Sequence, residues 1–230
     1  MELKTAIVTG ASSGIGFAIS KMLSEEGYKV YGIGRVFPED SDFFEKKISL
    51  DVRDTDILLQ KVSEIKPVDL LVNAAGSAYY GLAESNTPEQ ISEMCRTDFE
   101  APVILTSSLI PRLKETKGMV INIASVTSTR INTHGAVYGA LKAGLRSYSR
   151  SLFEEVRKTG IRVVTVCPDL TADTKLYRNA DFTPADEEGC FLLPEDTAEC
   201  VRDIINMREG SVVTEVEVRP QFNRIAKKKN

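Results

Sequence analysis

The sequence contains no tryptophan, one histidine (His134), and four cysteines (Cys95, Cys167, Cys190 and Cys200) that never fall at CxxC spacing. A zinc cluster needs several nitrogen or sulfur ligands at set intervals, and a disulfide framework needs a dense cysteine pattern in a short chain; this sequence has neither. The thiols are expected to be reduced and structural, and no metal site is expected. A basic excess is also missing: 29 Lys and Arg stand against 33 Asp and Glu, a net charge of −4, without the electrostatic footprint of a nucleic-acid binder. The longest apolar runs are strand-length, too short to span a membrane. The chain opens directly into Leu3-Lys4-Thr5-Ala6-Ile7-Val8, with no charged n-region, apolar h-region or cleavage site. A cytoplasmic protein that engages neither nucleic acid nor membrane is expected.

What is present is alternation. Short β-branched runs near 3–9, 29–34, 47–50, 68–73, 118–124, 161–167 and 212–217 are separated by amphipathic patterns near 14–26, 54–65, 88–115, 137–158 and 194–208. Asp54 and Thr87-Pro88 are plausible helix starts. The pattern predicts an α/β protein, a Rossmann-type doubly wound, mostly parallel seven-stranded sheet with helices on both faces. A chain of 230 residues can fold as one such unit, 1–230, with a C-terminal tail at about 222–230. The stretch Val36 to Glu45 is short and contains Pro38, so an abbreviated helix is expected there. Lys227-Lys228-Lys229 reads as a solvated tail.

Thr9-Gly10-Ala11-Ser12-Ser13-Gly14-Ile15-Gly16 follows the first strand and opens the first helix. Backbone N–H groups and the helix dipole favour a pyrophosphate at such a place, with Gly10 permitting the turn and Gly14 and Gly16 permitting close approach. The spacing is GxxxGxG rather than GxGxxG. Tyr138 and Lys142 stand four apart at the start of a helical pattern and share one face.

The TGxxxGxG spacing, Asn73-Ala74-Ala75-Gly76 after the fourth strand and Tyr138-Gly139-Ala140-Leu141-Lys142 downstream together resemble the short-chain dehydrogenase/reductase family over nearly the whole chain. The resemblance implies that Asp51-Val52 contacts adenine, that Asn73, Ala74, Ala75 and Gly76 line the cofactor crevice, and that Pro168 and Thr171 lie beside the nicotinamide. Members that prefer NAD usually carry an acid at the end of the second strand. This sequence has Gly34 there, followed by Arg35, whose guanidinium suits a 2′-phosphate, so NADP(H) is expected rather than NAD(H).

The resemblance further implies that Tyr138 exchanges a proton with a carbonyl or alcohol oxygen, that Lys142 assists it and holds the nicotinamide ribose, and that Ser125, at the end of Met119-Val120-Ile121-Asn122-Ile123, orients the substrate. Moving a phenol from about 10 to near 7 takes roughly 4 kcal/mol, which one ammonium about 4 Å away supplies at an effective dielectric near 20. Ser128, Thr127 and Thr129 are rival hydroxyls.

Two positions depart from the family pattern. Asp98 occupies the slot where an asparagine is usual, and it is expected to point away, to pair with Arg96 or another cation, or to raise the pH optimum. Asp169 follows Pro168 where glycine is usual, leaving Thr171, with Thr174, as the expected carboxamide contacts.

Residues 171–193, including Tyr177, Phe182, Asp186, Glu187, Glu188 and Phe191, are expected to close the substrate pocket as a lid, with Tyr79, Tyr80, Val126, Ile131 and His134 nearby. His134 itself reads as a loop residue. The run Val213 to Gln221 resembles the ending of a bacterial subgroup that oxidises 3-hydroxy acids and serine. A small-molecule carbonyl or alcohol substrate and a homodimer or homotetramer are implied. Two other functions suit the same fold: a noncatalytic NADP(H)-binding sensor or interaction protein, and an epimerase or dehydratase that shows no net NADPH consumption.

Overall fold

Uninterrupted burial along β1 (Thr5–Thr9) marks a strand covered on both faces, as a central strand of a parallel sheet must be. A computed structural model describes residues 3–222 and 224–228. The strands that follow are β2 (Lys29–Gly34), β3 (Lys46–Ser49), β4 (Leu70–Asn73), β5 (Met119–Ile123), β6 (Arg162–Pro168), the short β7 (Phe182–Pro184), β8 (Glu215–Val218) and β9 (Ile225–Lys227). Seven of them form one sheet in the order β3-β2-β1-β4-β5-β6-β8, every neighbouring pair parallel. The order reverses between β1 and β4, and a crevice opens at their carboxyl ends.

The helices are α1 (Gly14–Glu25), α2 (Thr55–Ser63), α3 (Pro88–Cys95), α4 (Ala101–Thr116), α5 (Ala136–Val156) and α6 (Pro194–Ile205). Ile19 and Leu23 of α1 and Val201 and Ile204 of α6 are buried against one face of the sheet. Leu58 of α2, Leu105 and Leu109 of α4, and Leu152 of α5 are buried against the other. This is the expected doubly wound architecture. Among the described residues, no helix is long and apolar enough to cross a membrane.

Three segments carry the differences from sequence. The pattern at 88–115 is not one helix: a π-helical turn, Arg96–Glu100, separates α3 from α4. Pro102 has no N–H to give the carbonyl four residues back, that of Asp98, and the widened turn falls there. Between β2 and β3 the helix is not merely abbreviated but missing; Phe37, Phe43 and Phe44 fill that space, with Phe43 packed 5.3 Å from Phe17 of α1. The C-terminal segment is not simply a solvated tail. β9 pairs antiparallel with β7 in the register Phe182↔Lys227, Thr183↔Ala226 and Pro184↔Ile225. Lys228 donates from Nζ to the carbonyl of Tyr177 at 2.7 Å. Lys229 lies outside the described residues.

Candidate active site

The turn after β1 is built for close contact. Gly10 and Gly14 adopt φ of +66° and +54°, a region that favours glycine. A Cβ on Gly10 would lie 2.7 Å from Ala74 O and from Ala75 N, so the turn presses on the end of β4. Thr9 Oγ1 fixes that contact by accepting from both Ala74 N and Ala75 N at 3.2 Å. Ser13, the N-cap of α1, makes no side-chain capping bond, and the first turn carries no acid. The leading N–H groups of α1 have no partners within the helix, and the residues around them suit a phosphate in charge and in room.

A cleft of about 290 Å³ runs from Gly34, Arg35, Asp51 and Val52 past Gly10, Ser12, Ser13, Gly14, Ile15 and Gly16 to Tyr138 and Lys142. Ala74, Ala75, Gly76, Pro168 and Thr171 also line it. Asn73 is the expected cofactor residue that does not. Its amide is turned into the core, where Nδ2 donates to Thr106 Oγ1 at 3.0 Å and Asn122 Oδ1 at 2.7 Å, and Asn122 in turn donates to Ser149. Asn73 thus ties β4 to β5 and α4 beneath the crevice.

Gly34 has no room for a side chain: a Cβ there would lie 2.6 Å from Ser12 Oγ. Ser12 fills the space in which an acid at this position would begin. Arg35 beside it is exposed at the rim. Arg53, not singled out by sequence, grips Asp51 through Nε–Oδ1 at 3.0 Å and Nη2–Oδ2 at 2.7 Å, and its other nitrogen lies 3.5 Å from Glu93 of α3. The Arg53 hydrogen bonds hold the Asp51 carboxyl below the usual carboxylate range. An arginine two residues after Asp51 was the visible signal, but its partner on α3 was not.

Tyr138 and Lys142, one turn apart on α5, are 4% and 3% exposed, and Lys142 Nζ lies 5.6 Å from the Tyr138 ring centre. Ser125 follows β5, accepts from Thr127 N at 3.2 Å, and hydrogen-bonds the Tyr138 phenol. The rival Ser128 turns to Cys167, and Thr129 bonds Val126 O and Glu217. Ser125, Tyr138 and Lys142 therefore stand together at the end of the cleft.

Asp98 does not point away, and Arg96 is not its partner; Arg96 donates instead to Arg53 O. Asp98 Oδ1 lies 3.1 Å from Lys142 Nζ, and Oδ2 accepts from Ser77 N at 3.0 Å and Ser77 Oγ at 3.2 Å. Burial pushes the Asp98 carboxyl up, against Lys142 and Ser77. Burial likewise pushes the Tyr138 phenol well above its ordinary range, Asp98 and Tyr177 push it further, and only the Ser125 bond pulls it down. Lys142 therefore does not act on this phenol alone, because its ammonium is paired with the Asp98 carboxylate.

Above Tyr138 lies an aromatic wall. Tyr80 packs 6.0 Å from Tyr138, 5.7 Å from Tyr177 and 5.2 Å from Phe182. Burial pushes the Tyr177 phenol up to about 12. Thr171 is buried and spends its hydroxyl on Asp169 O at 2.9 Å. The Asp169 carboxylate meets Arg219 at 3.0 Å. Thr174 abuts Gly14, its Cγ2 3.2 Å from where a Cβ on that glycine would sit. His134 is an exposed loop residue, as expected, but of the residues expected near the pocket only Tyr80 and Val126 line the cleft; Tyr79, Ile131 and His134 do not. Among the described residues, no cluster of His, Cys, Asp or Glu could hold a metal.

The C-terminal segment braces this wall through the β7–β9 ladder, Lys228 on Tyr177 O, and Arg224 on Glu187 at 2.9 Å. Ending the chain after Pro220 is expected to raise the KM of a molecule bound against this wall about tenfold, as loss of about 1.4 kcal/mol of ordering does, with affinity at the α1 end of the cleft unchanged. Steady-state kinetics and a cofactor titration on the truncated protein check this; an unchanged KM contradicts it.

A family model for short chain dehydrogenases matches residues 4–183. An uncharacterized oxidoreductase of Staphylococcus epidermidis is 30% identical over 228 residues, covering 94% of this chain and 97% of that protein. The alcohol dehydrogenase from the archaeon Thermococcus sibiricus, solved with 5-hydroxy-NADP, superposes with a TM-score of 0.83 at 25% identity, covering 97% of this chain and 99% of its own. The closed form of serine dehydrogenase complexed with NADP+ gives 0.80 at 26% identity, covering 94% of each chain.

Proposed function

The chain belongs to the short-chain dehydrogenase family, and from that premise we propose that it is an NADP(H)-dependent oxidoreductase interconverting a small-molecule carbonyl and a secondary alcohol. One observation carries the reading: Ser125, Tyr138 and Lys142 converge at one end of a cleft whose floor is an uncapped helix N-terminus and whose other end is Arg35. The two solved relatives are named for an alcohol and for serine, both hydroxyl compounds, which supports this substrate class.

When bound, the cofactor supplies or accepts hydride. The first-turn N–H groups of α1 would take its pyrophosphate, and Lys142, which lines the cleft, would hold the nicotinamide ribose. Tyr138 Oη donates a proton to the carbonyl oxygen, or takes one from the alcohol in reverse. The Ser125 hydroxyl orients that oxygen, and the Tyr80, Tyr177 and Phe182 rings keep water from it. Half-buried Ile110 of α4 with Tyr148 and Phe153 of α5 supports assembly as a homodimer or homotetramer.

The test is NADPH consumption against a panel of carbonyls, with alcohols and NADP+ in the reverse direction. Net turnover is expected; cofactor held tightly without net consumption by any member would favour an epimerase or a sensor. Arg35→Ala is expected to weaken NADPH binding about ten- to hundredfold, the loss of one charge-assisted contact of about 1.5–3 kcal/mol, and to leave NADH binding unchanged. Equal effects on both cofactors would remove Arg35 from the 2′-phosphate site.

A further inference from the structure

The carboxylate of Asp98 is fully buried, yet the residue does not line the cleft. It acts on Lys142. Lys142 Nζ donates to Ile123 O at 3.0 Å and lies 3.1 Å from Asp98 Oδ1 as an ion pair. Ser77 holds the other carboxylate oxygen from both its N–H and its hydroxyl. The β4 loop closes on the pair: a Cβ on Gly76 would lie 3.1 Å from Asp98 Oδ1 and 3.7 Å from Lys142 Nζ.

An ion pair this close has little net field at its neighbours, because the opposite charges nearly cancel beyond their own separation. Around the Tyr138 phenol, Ser125 pulls down while Asp98, Tyr177 and Cys167 push up, with Lys142 Nζ 5.6 Å from the ring centre and Tyr80 packed on the ring. With an asparagine in place of Asp98, Lys142 would carry an unmatched positive charge toward the phenol. With aspartate, a nearly dry phenol faces a neutral pair.

We propose that the Asp98–Lys142 pair holds Tyr138 as a neutral phenol across the neutral pH range and so tunes the site for carbonyl reduction, Asp98 being a positioning residue that works through Lys142. This rests on the reading of Tyr138 as the proton donor. In reduction the carbonyl π bond breaks as hydride bonds to carbon, the freed pair on oxygen takes the Tyr138 proton, and the phenolate is reprotonated from solvent. Oxidation needs the phenolate first, so its rate falls about tenfold for each pH unit below the phenol pKa, while reduction stays level. The reaction itself consumes a proton in the reductive direction, so the two profiles are consistent with one equilibrium.

The experiment compares pH profiles of kcat/KM in both directions for the wild type and Asp98→Asn, which still offers Ser77 an acceptor. In the wild type, reduction is expected to be level through neutrality, with oxidation still rising beyond about pH 9. In Asp98→Asn the oxidative limb is expected at least about one unit lower, about tenfold more oxidation at neutral pH. A merely structural role would depress both directions without moving either limb, and coincident limbs overturn the proposal. If the variant does not fold, a wild-type oxidative midpoint below about pH 9 overturns it alone, and a midpoint above that supports it. Tyrosinate absorbance, as the difference between each protein and its Tyr138→Phe counterpart, reads the same phenol without turnover. A late titration in the wild type and an earlier one in Asp98→Asn uphold the pair even if no substrate is turned over, an outcome in which only the dehydrogenase reading fails; identical titrations overturn the pair even in an active enzyme.

Discussion

Tyr138→Phe is expected to lower carbonyl turnover by about two to four orders of magnitude while NADPH still binds, the usual weight of a positioned general acid. The substitution keeps the ring that Tyr80 packs against at 6.0 Å and removes only the hydroxyl bonded to Ser125. Losing one buried hydrogen bond costs stability about 1 kcal/mol, too little to unfold the protein. The proposed phosphate cradle is the N-terminus of α1, whereas Tyr138 belongs to α5, so cofactor affinity and turnover should separate. Kinetics and cofactor titration on the same sample read both. Turnover within about tenfold of wild type would place the proton donor elsewhere, well outside the range expected for loss of a general acid.

Gly10→Ala is expected to cost about 2–5 kcal/mol of stability and to weaken cofactor binding about a hundredfold. The backbone at Gly10 has φ +66°, which an alanine adopts at a cost of about 1–2 kcal/mol. Its methyl would also lie 2.7 Å from two backbone atoms of the β4 end, Ala74 O and Ala75 N, and overpacking against backbone adds about 1–3 kcal/mol. Neither neighbour can rotate away, so the turn itself must move, and it aims the first N–H groups of α1. A melting temperature lowered by roughly 5–15 °C is expected for a chain of this size. An unchanged melting temperature with full NADPH affinity would mean that the turn is not held against β4.

The sheet was legible because its strands are short β-branched runs buried on both faces, as in Ala6-Ile7-Val8, and because glycine spacing between strand and helix has few uses. The placement of Ser125, Tyr138 and Lys142 followed from motif positions on those elements. Less could be read where an outcome depends on contacts distant in sequence. Lys227 and Lys228 look like solvated charge, and nothing local announces that the strand beside them pairs with Phe182 some 45 residues earlier. Pro102 stands inside the pattern at 88–115, and the letters alone do not say whether such a proline kinks, breaks or widens the helix into a π turn. Asn73 ends a strand beside the crevice, yet side chains alternate along a strand and this one faces the core. Asp98 was marked as a departure, but its partner could not be named, since Arg96, two residues away, and Lys142, 44 residues away, are equal candidates on paper.

Fluorescence titration of the purified protein with NADPH and, separately, with NADH addresses the proposed activity at its root. The charge at Arg35 and the absence of room for an acid at Gly34 predict NADPH bound at least about tenfold more tightly, the weight of one charge-assisted contact. Equal or tighter binding of NADH would contradict the cofactor assignment, and no binding of either would contradict the catalytic reading of the cleft.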